Sequence, residues 1–257
     1  MPRFPLRYAV AAILAVASTG IARAQTYPVK PVRIVVPFAP GGGTDVIARH
    51  LATGLSESLK RQFIVENRAG ANAIVGTEFV ARAAADGYTL LFVSSPHSVN
   101  PGMYAKLPYD TLRDFAPVSE IASSPYFLVT HPSLPVRNVK DLIALAKKQP
   151  DQIHYGSGGS GSSAHLSAEL FNQMAGVPGY RSDAVLGMLA PARTPRAIID
   201  TLNAESHKVM RQPESIEAMR RMAVDITLST PEEFGRLIES EISRWSKLIR
   251  ALNLKPL

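Results

Sequence analysis

Two short stretches of the chain carry residue types suited to holding an anion. The first is Pro40-Gly41-Gly42-Gly43-Thr44-Asp45. The second is Gly156-Ser157-Gly158-Gly159-Ser160-Gly161-Ser162-Ser163. Each follows an apolar run and precedes a helix-spaced pattern. Glycine lets the backbone turn tightly with its N–H groups facing inward. The first turn of a helix adds unpaired N–H groups and partial positive charge. Together these bind an anion without lysine or arginine. Thr44, Ser162 and Ser163 can add hydroxyl donors. One such loop alone reads as a tight strand-to-helix connection with a cap. Two of them, at the start of each apparent α/β unit, favour a two-jawed clamp. Asp45 reads first as a capping or helix-dipole partner, with a ligand amine as its other candidate role.

Other chemistry is poorly represented. The first loop is not G-x-G-x-x-G, no G-x-x-x-x-G-K-[ST] occurs, and the second loop lacks the G-x-S-x-G nucleophile elbow. His165 follows Ser162 by three residues, which is no triad signature by itself. His97, His131, His154 and His165 show no paired metal spacing and read as surface or structural residues. The absence of cysteine removes disulfides, thiolate metal sites and cysteine nucleophiles. The expectation is therefore a binding protein without catalytic residues, metal or cofactor. Two alternatives stay open: an exported hydrolase using Ser162 or Ser163, and a non-transporting sensor or adaptor.

The N-terminus bounds the compartment. Arg3 and Arg7 precede an uncharged apolar run over residues 8–19, and Ala22-Arg23-Ala24 fits a small-x-small cleavage site. The run is shorter than the ~20 residues a membrane span needs. Residues 1–24 are thus expected to be a signal peptide cleaved after Ala24, leaving a periplasmic protein. Arg3, Arg7 and Arg23 account for three of the seven excess positive charges. The remaining bases are dispersed, which argues against a nucleic-acid partner while a mild positive field favours anionic ligands.

The elements that must position these loops follow from periodicity. The near-continuous apolar run 32–38 reads as a buried parallel strand. A helix then begins near Thr44, with Ile47, Leu51, Leu55 and Leu59 at a spacing of four. Strands at 63–65 and 90–93, with a helix through Phe79 and Val80 between them, complete a βαβαβ unit. The proline-rich stretch 96–135 offers one apolar run, 126–129, read as a strand leaving this unit. Asn138 caps a helix whose face is Val139, Leu142, Ile143 and Ala146. Residues 153–155 read as a short strand. After them come the second Gly/Ser loop, a helix bearing Leu166, Leu170, Phe171 and Met174, and a return strand at 184–189. Thr194-Pro195, Pro213 and the capping box Thr230-Pro231-Glu232-Glu233 open three further helices. Trp245 reads as a core anchor of the last.

Longer stretches of text now become recognisable. Tyr27-Pro28 through Pro31, Ile34 through Asp45, Val65-Glu66-Asn67-Arg68-Ala69-Gly70-Ala71 and Ala85 through Leu91 occur in order. So do His97 through Pro101, Lys106 through Asp110, Asp114 through Val118, the loop from Tyr155 to His165, and Leu189 through Asn203. In these the chain resembles the Bug-type substrate-binding receptors of tripartite tricarboxylate transporters. The resemblance implies an α/β, type II periplasmic-binding-protein-like fold of two lobes, each with a parallel-type sheet flanked by helices. It implies a small carboxylate held by Gly42, Gly43, Thr44 and Asp45 of one lobe and Ser157, Gly161, Ser162 and Ser163 of the other. It also implies a monomer that docks on membrane permease subunits. The expected organisation is lobe one at 25–125, completed by the helical part at 190–257, and lobe two at 126–189. One departure stands out. After Met174-Ala175-Gly176, Val177 runs straight into Pro178-Gly179-Tyr180 and the return strand. On the order of seventy residues of the family's second lobe have no counterpart here, about half of a typical lobe. A truncated second lobe with part of its cleft wall missing is therefore expected.

Overall fold

The computed structural model describes residues 27–149, 152–154, 163–175 and 183–251. The expected signal peptide, residues 1–24, and Ser157, Gly161 and Ser162 of the second Gly/Ser stretch lie outside these residues. Among the described residues the strands form one six-stranded sheet, in the order β2-β1-β3-β5-β4-β6. These are β1 (Val32–Val36), β2 (Phe63–Asn67), β3 (Thr89–Val93), β4 (Phe115–Pro125), β5 (Asp183–Pro191) and β6 (Asp225–Ile226).

Strand β1 is the apolar run expected to be buried, and Val32, Ile34, Val35 and Val36 have no exposed surface. It pairs in parallel with β2 from Val32↔Phe63 to Val36↔Asn67, and with β3 from Arg33↔Thr89 to Val35↔Leu91. Parallel neighbours need crossover helices. These are α1 (Gly43–Leu59) and α2 (Ile74–Ala81). The other half of the sheet is antiparallel. The return strand β5 pairs with β3 and runs beside β4 from Phe115↔Pro191 to Pro125↔Asp183.

The sheet is covered on both faces. On one, Ile47, Leu51 and Leu55 of α1 meet Ile199, Leu202 and Val209 of α6 (Arg196–Met210) over Ile34, Val36, Leu90 and Phe92. Met219 of α7 (Pro213–Arg221) joins them. On the other, Val80 of α2 and Phe234 and Ile238 of α8 (Pro231–Ala251) cover Val35, Leu91, Val93 and Leu189. Burying each such side chain stabilises by about 1.5–3 kcal/mol. The α8 capping box forms as expected: Glu233 N donates to Thr230 Oγ1 at 3.2 Å, and Thr230 N donates to Glu233 Oε2 at 2.8 Å. Trp245 is a core anchor, packed with Leu248 and Ile249 against Val99 and Met103 of α3 (Pro96–Met103).

Several sequence expectations need correction. Residues 126–129 are not a strand. The strand lies just before them, in β4, whose Pro117 and Pro125 argue against a ladder position because proline has no N–H to donate. Register irregularities between Pro117 and Ser119 and between Glu120 and Ala122 accommodate β4. Phe127, Leu128 and Val129 follow with 70%, 56% and 82% of their surface exposed. Residues 153 and 154 lie in no strand. Helix α3 was hidden in the proline-rich stretch. Thr194 does not cap α6: its hydroxyl donates to Pro191 O at 2.7 Å, and Pro195 is itself the N-cap.

The middle segment is sparsely packed. Asn138 caps α4 (Val139–Lys148) as expected, accepting from Asp141 N at 3.0 Å, yet no residue of α4 is buried. Helix α5 (Ser163–Met174) is anchored through Leu166, which is fully buried against Val99, Trp245 and Ile249.

His97 of α3 is buried edge-on to Phe115, with ring centroids 5.2 Å apart. Neither ring nitrogen has a hydrogen-bond partner. Burial pushes the imidazole pKa down to about 4, and the nearby Thr111 backbone only partly opposes this. The unfolded chain then binds a proton that the folded chain does not between pH ~6.5 and pH ~4, so stability falls as pH falls through that window. The expected loss is about 3 kcal/mol. Urea midpoints measured across the window should show this slope in the wild type and lose that part of it in His97→Phe.

Candidate functional site

Strand β1 sends the chain to β2 on one side, and the chain returns through α2 to β3 on the other. The connections therefore diverge at the carboxyl ends of β1 and β3, the switch point at which open α/β sheets form a crevice. The loop leaving β1 there is the glycine turn. Gly41 has φ +83°, a left-handed conformation that glycine adopts without steric cost. Gly41, Gly42 and Gly43 are all exposed, and a Cβ placed on Gly41 or Gly43 would meet nothing within 4 Å. The space above these two residues is open to a ligand.

Helix α1 begins here without a side-chain cap on its N-cap residue Gly42. Its first internal bond runs from Val46 N to Gly42 O at 3.0 Å. The amides of Gly43, Thr44 and Asp45 precede that bond and find no acceptor among the described residues. They are the unpaired donors a helix start presents, carrying the positive end of its dipole.

The Asp45 carboxylate is buried, and it holds the turn. Its Oδ2 accepts from Gly41 N at 2.8 Å and from Arg49 Nε at 3.0 Å, and its Oδ1 accepts from Asn67 Nδ2 at 2.8 Å. Asn67, at the end of β2, also donates to Phe38 O at 3.1 Å and accepts from Arg49 Nη2 at 2.7 Å. A closed polar ring of Asp45, Arg49 and Asn67 thus ties the turn to two elements. Burial alone would raise the Asp45 pKa, but the hydrogen bonds from Arg49, Gly41 and Asn67 outweigh it and hold the carboxyl below its usual range. The side chain of Asp45 accordingly positions the turn, while its amide belongs to the donor set. Sequence reasoning named Asp45 but had no signal for Asn67, which lies in a different element.

Of the second jaw, Ser157, Gly161 and Ser162 lie outside the described residues, and Ser163 is the first residue of α5. Three serine–histidine contacts are described, one of them between exposed His131 Nδ1 and Ser133 Oγ, 2.7 Å apart within a single turn. Ser215 Oγ lies 2.8 Å from His50 Nε2 but donates to Val209 O, also at 2.8 Å. Ser119, fully buried, lies 3.1 Å from His207 Nε2 while contacting the carbonyls of Glu120 and Ser229. His131 and His154 are exposed, and His97 is the buried structural residue already described. Among the described residues no group of three His, Cys, Asp or Glu side chains could hold a metal ion, and no helix is long and apolar enough to cross a membrane.

Comparison with known proteins adds to this geometry. The profile of the tripartite tricarboxylate transporter family receptor matches residues 47–183 and 175–254. The match comes in two pieces whose seam falls where the second lobe was expected to be cut. Protein BugT of Bordetella pertussis is 41% identical over 192 residues, covering 73% of this chain and 57% of that protein. A protein from an intergenic region of Pseudomonas sp. strain P51 is 29% identical over 307 residues, covering 93% of this chain and 91% of its own length. That alignment is longer than this chain of 257 residues, so the relative carries a segment that is missing here. Among solved structures, an R. palustris protein with adipate superposes with a TM-score of 0.83 at 28% identity, covering 90% of this chain and all of its own.

Asp45→Ala should leave Gly41 N–H without its acceptor and remove the bonds that Arg49 Nε and Asn67 Nδ2 make to the carboxylate. The expected cost is about 2–3 kcal/mol, the scale of charge-assisted bonds lost from a buried site. It should be read as a lower urea midpoint at unchanged m-value.

Proposed function

Because the chain belongs to the tripartite tricarboxylate transporter receptor family, we propose that it is an exported receptor which captures a small carboxylate and delivers it to the membrane permease of such a transporter. The observation that carries this reading is the set of three acceptor-free amides, Gly43, Thr44 and Asp45, at an open helix start whose turn Asp45 holds. A carboxylate oxygen accepts such donors in a short, charge-assisted geometry. The Thr44 hydroxyl adds one more donor, and Gly41 and Gly43 leave room for the ligand to approach. The structural relative with adipate, a dicarboxylate, supports this ligand class.

In this reading residues 1–24 are the export leader, cleaved after Ala24, and the mature protein works in the periplasm as a monomer. Residues 25–125 and 190–257 form the lobe carrying the first jaw. Residues 126–189 form a shortened lobe carrying the second, with Ser157, Gly161, Ser162 and Ser163 facing the ligand. Enclosure by both walls is what gives such clefts affinity. A shortened wall buries less of the ligand, so binding is weaker than in a full-length receptor. No specific observation favours an exported hydrolase: Ser215 and Ser119, which touch His50 and His207, are bonded to backbone carbonyls, and Ser133 touches His131 within one exposed turn.

Titration calorimetry of the mature protein against malate, adipate, citrate and glutarate tests this. One-to-one binding of at least one acid is expected, with a Kd of about 1 μM or weaker. Sub-micromolar binding would show that the shortened lobe leaves the cleft whole. Silence across the panel would remove the carboxylate reading.

A further inference from the structure

The turn between β3 and α3 holds a hydroxyl that the fold does not use. Ser95 is the N-cap residue of α3. A serine at this position ordinarily accepts from the amides of the first helical turn. Here its backbone is already helical, with φ −47° and ψ −33°, and it makes no side-chain cap. The amides it would cap are absent or taken. Pro96 has none, His97 N donates to Ser94 O at 3.0 Å, and Ser98 N and Val99 N donate to Ser95 O at 3.0 and 3.1 Å. Ser95 is 5% exposed, and its Oγ has no hydrogen-bond partner. A buried hydroxyl without a partner is a net cost to folding, so its presence at this point calls for another reason.

Its position supplies one. The parallel ladder of β1 and β3 ends at Val35↔Leu91. Both strands end within two residues of that pair, so the turn after β3 and the glycine turn after β1 leave the sheet at the same end, from neighbouring strands about 4.8 Å apart. Ser95 therefore lies at the same end of the sheet as the loop that carries the free amides, in the connection that leaves the neighbouring strand at the switch point. The start of α3 adds partial positive charge there. The helix is also held in place. Asn100, fully buried within it, accepts from Asn72 Nδ2 at 2.8 Å and donates to Asn72 O at 2.9 Å. Asn72 sits in the β2–α2 loop, where Ala71, Asn72 and Ala73 are all left-handed, with φ of 44°, 50° and 73°.

We propose that Ser95 Oγ is a further ligand-binding group, donating a hydrogen bond to the bound carboxylate from the connection neighbouring that of Gly43, Thr44 and Asp45. The inference rests on the carboxylate reading above. It explains why this serine tolerates an unpaired, buried hydroxyl in the ligand-free fold: the partner is the ligand.

The test compares Ser95→Ala with the wild-type mature protein, using adipate and malate as probes in calorimetry and thermal unfolding. Ser206→Ala is the control. Ser206 is likewise fully buried with an unpartnered hydroxyl, but it lies in α6. Ser95→Ala should weaken binding of the preferred acid about tenfold or more, as loss of a hydrogen bond to a charged group does. Its ligand-free unfolding temperature should stay the same or rise, because no protein partner is lost. Ser206→Ala should bind as the wild type does. If Ser95→Ala binds with wild-type affinity, the proposal is overturned. It is also overturned if the ligand-free protein loses several degrees of stability and affinity falls equally in Ser206→Ala, because the hydroxyl is then structural. Failure of the wild type to bind any acid would overturn the carboxylate reading itself, an outcome distinct from either of these.

Discussion

Burial of β1 on both faces is the constraint from which the remaining architecture follows. Four of its five residues are apolar and fully enclosed, so it needs a strand on each side and a helix layer above and below. Its neighbours β2 and β3 both run parallel to it but lie on opposite sides. Crossover connections in parallel sheets are right-handed, so stepping first one way and then the other places α1 and α2 on opposite faces. The core clusters agree: α1 packs over Ile34 and Val36, and α2 packs over Val35. The two connections diverge at the carboxyl end of β1, and the divergence is the crevice. The site is thus a geometric consequence of burying one strand.

Within that crevice, one buried carboxylate reconciles stability with binding. A helix start with three open amides is under-satisfied, and a tight glycine turn is entropically costly to hold. Asp45 addresses both. It fixes Gly41 through the backbone and fixes α1 to β2 through Arg49 and Asn67. The side chain takes up the amide that precedes the helix and leaves free those that open it. A ligand carboxylate can then meet donors already in place, which reduces the ordering cost of binding.

The middle of the chain shows what happens when an amphipathic pattern loses its counterpart. Helix α4 has a proper cap and an apolar face, yet nothing in it is buried. Phe127, Leu128 and Val129 are largely exposed. At ten residues α4 is shorter than the ~12–15 at which an isolated helix becomes even marginal in water. Helix α5 differs, because Leu166 reaches the α3–α8 cluster. Among the described residues burial is therefore unevenly distributed, concentrated in the sheet and its helices and thin over residues 126–149.

Elements whose residues all serve one burial face were legible without coordinates. β1 announced itself as an uninterrupted apolar run, α1 by leucines four apart, and α8 by its capping box, because local periodicity and local hydrogen bonding decide these. The glycine turn was legible as a donor site for the same reason. Strand β4 was not, because its prolines contradict the local rule and only pairing with β5 through register irregularities makes the strand viable. Nor could the sequence separate the two parts of Asp45, the carboxylate bonded to the turn and the amide left without an acceptor. That division depends on Asn67 arriving from β2, twenty-two residues away in sequence. Ser95 carried no signal in the sequence, because the helix it opens was hidden there and only its backbone conformation and burial show that its hydroxyl caps nothing. Composition and spacing determined the parallel half of the sheet and the glycine turn that opens α1. Tertiary packing decided which polar groups were consumed in holding the crevice and which were left to face it, since only long-range contacts can satisfy a buried donor or acceptor.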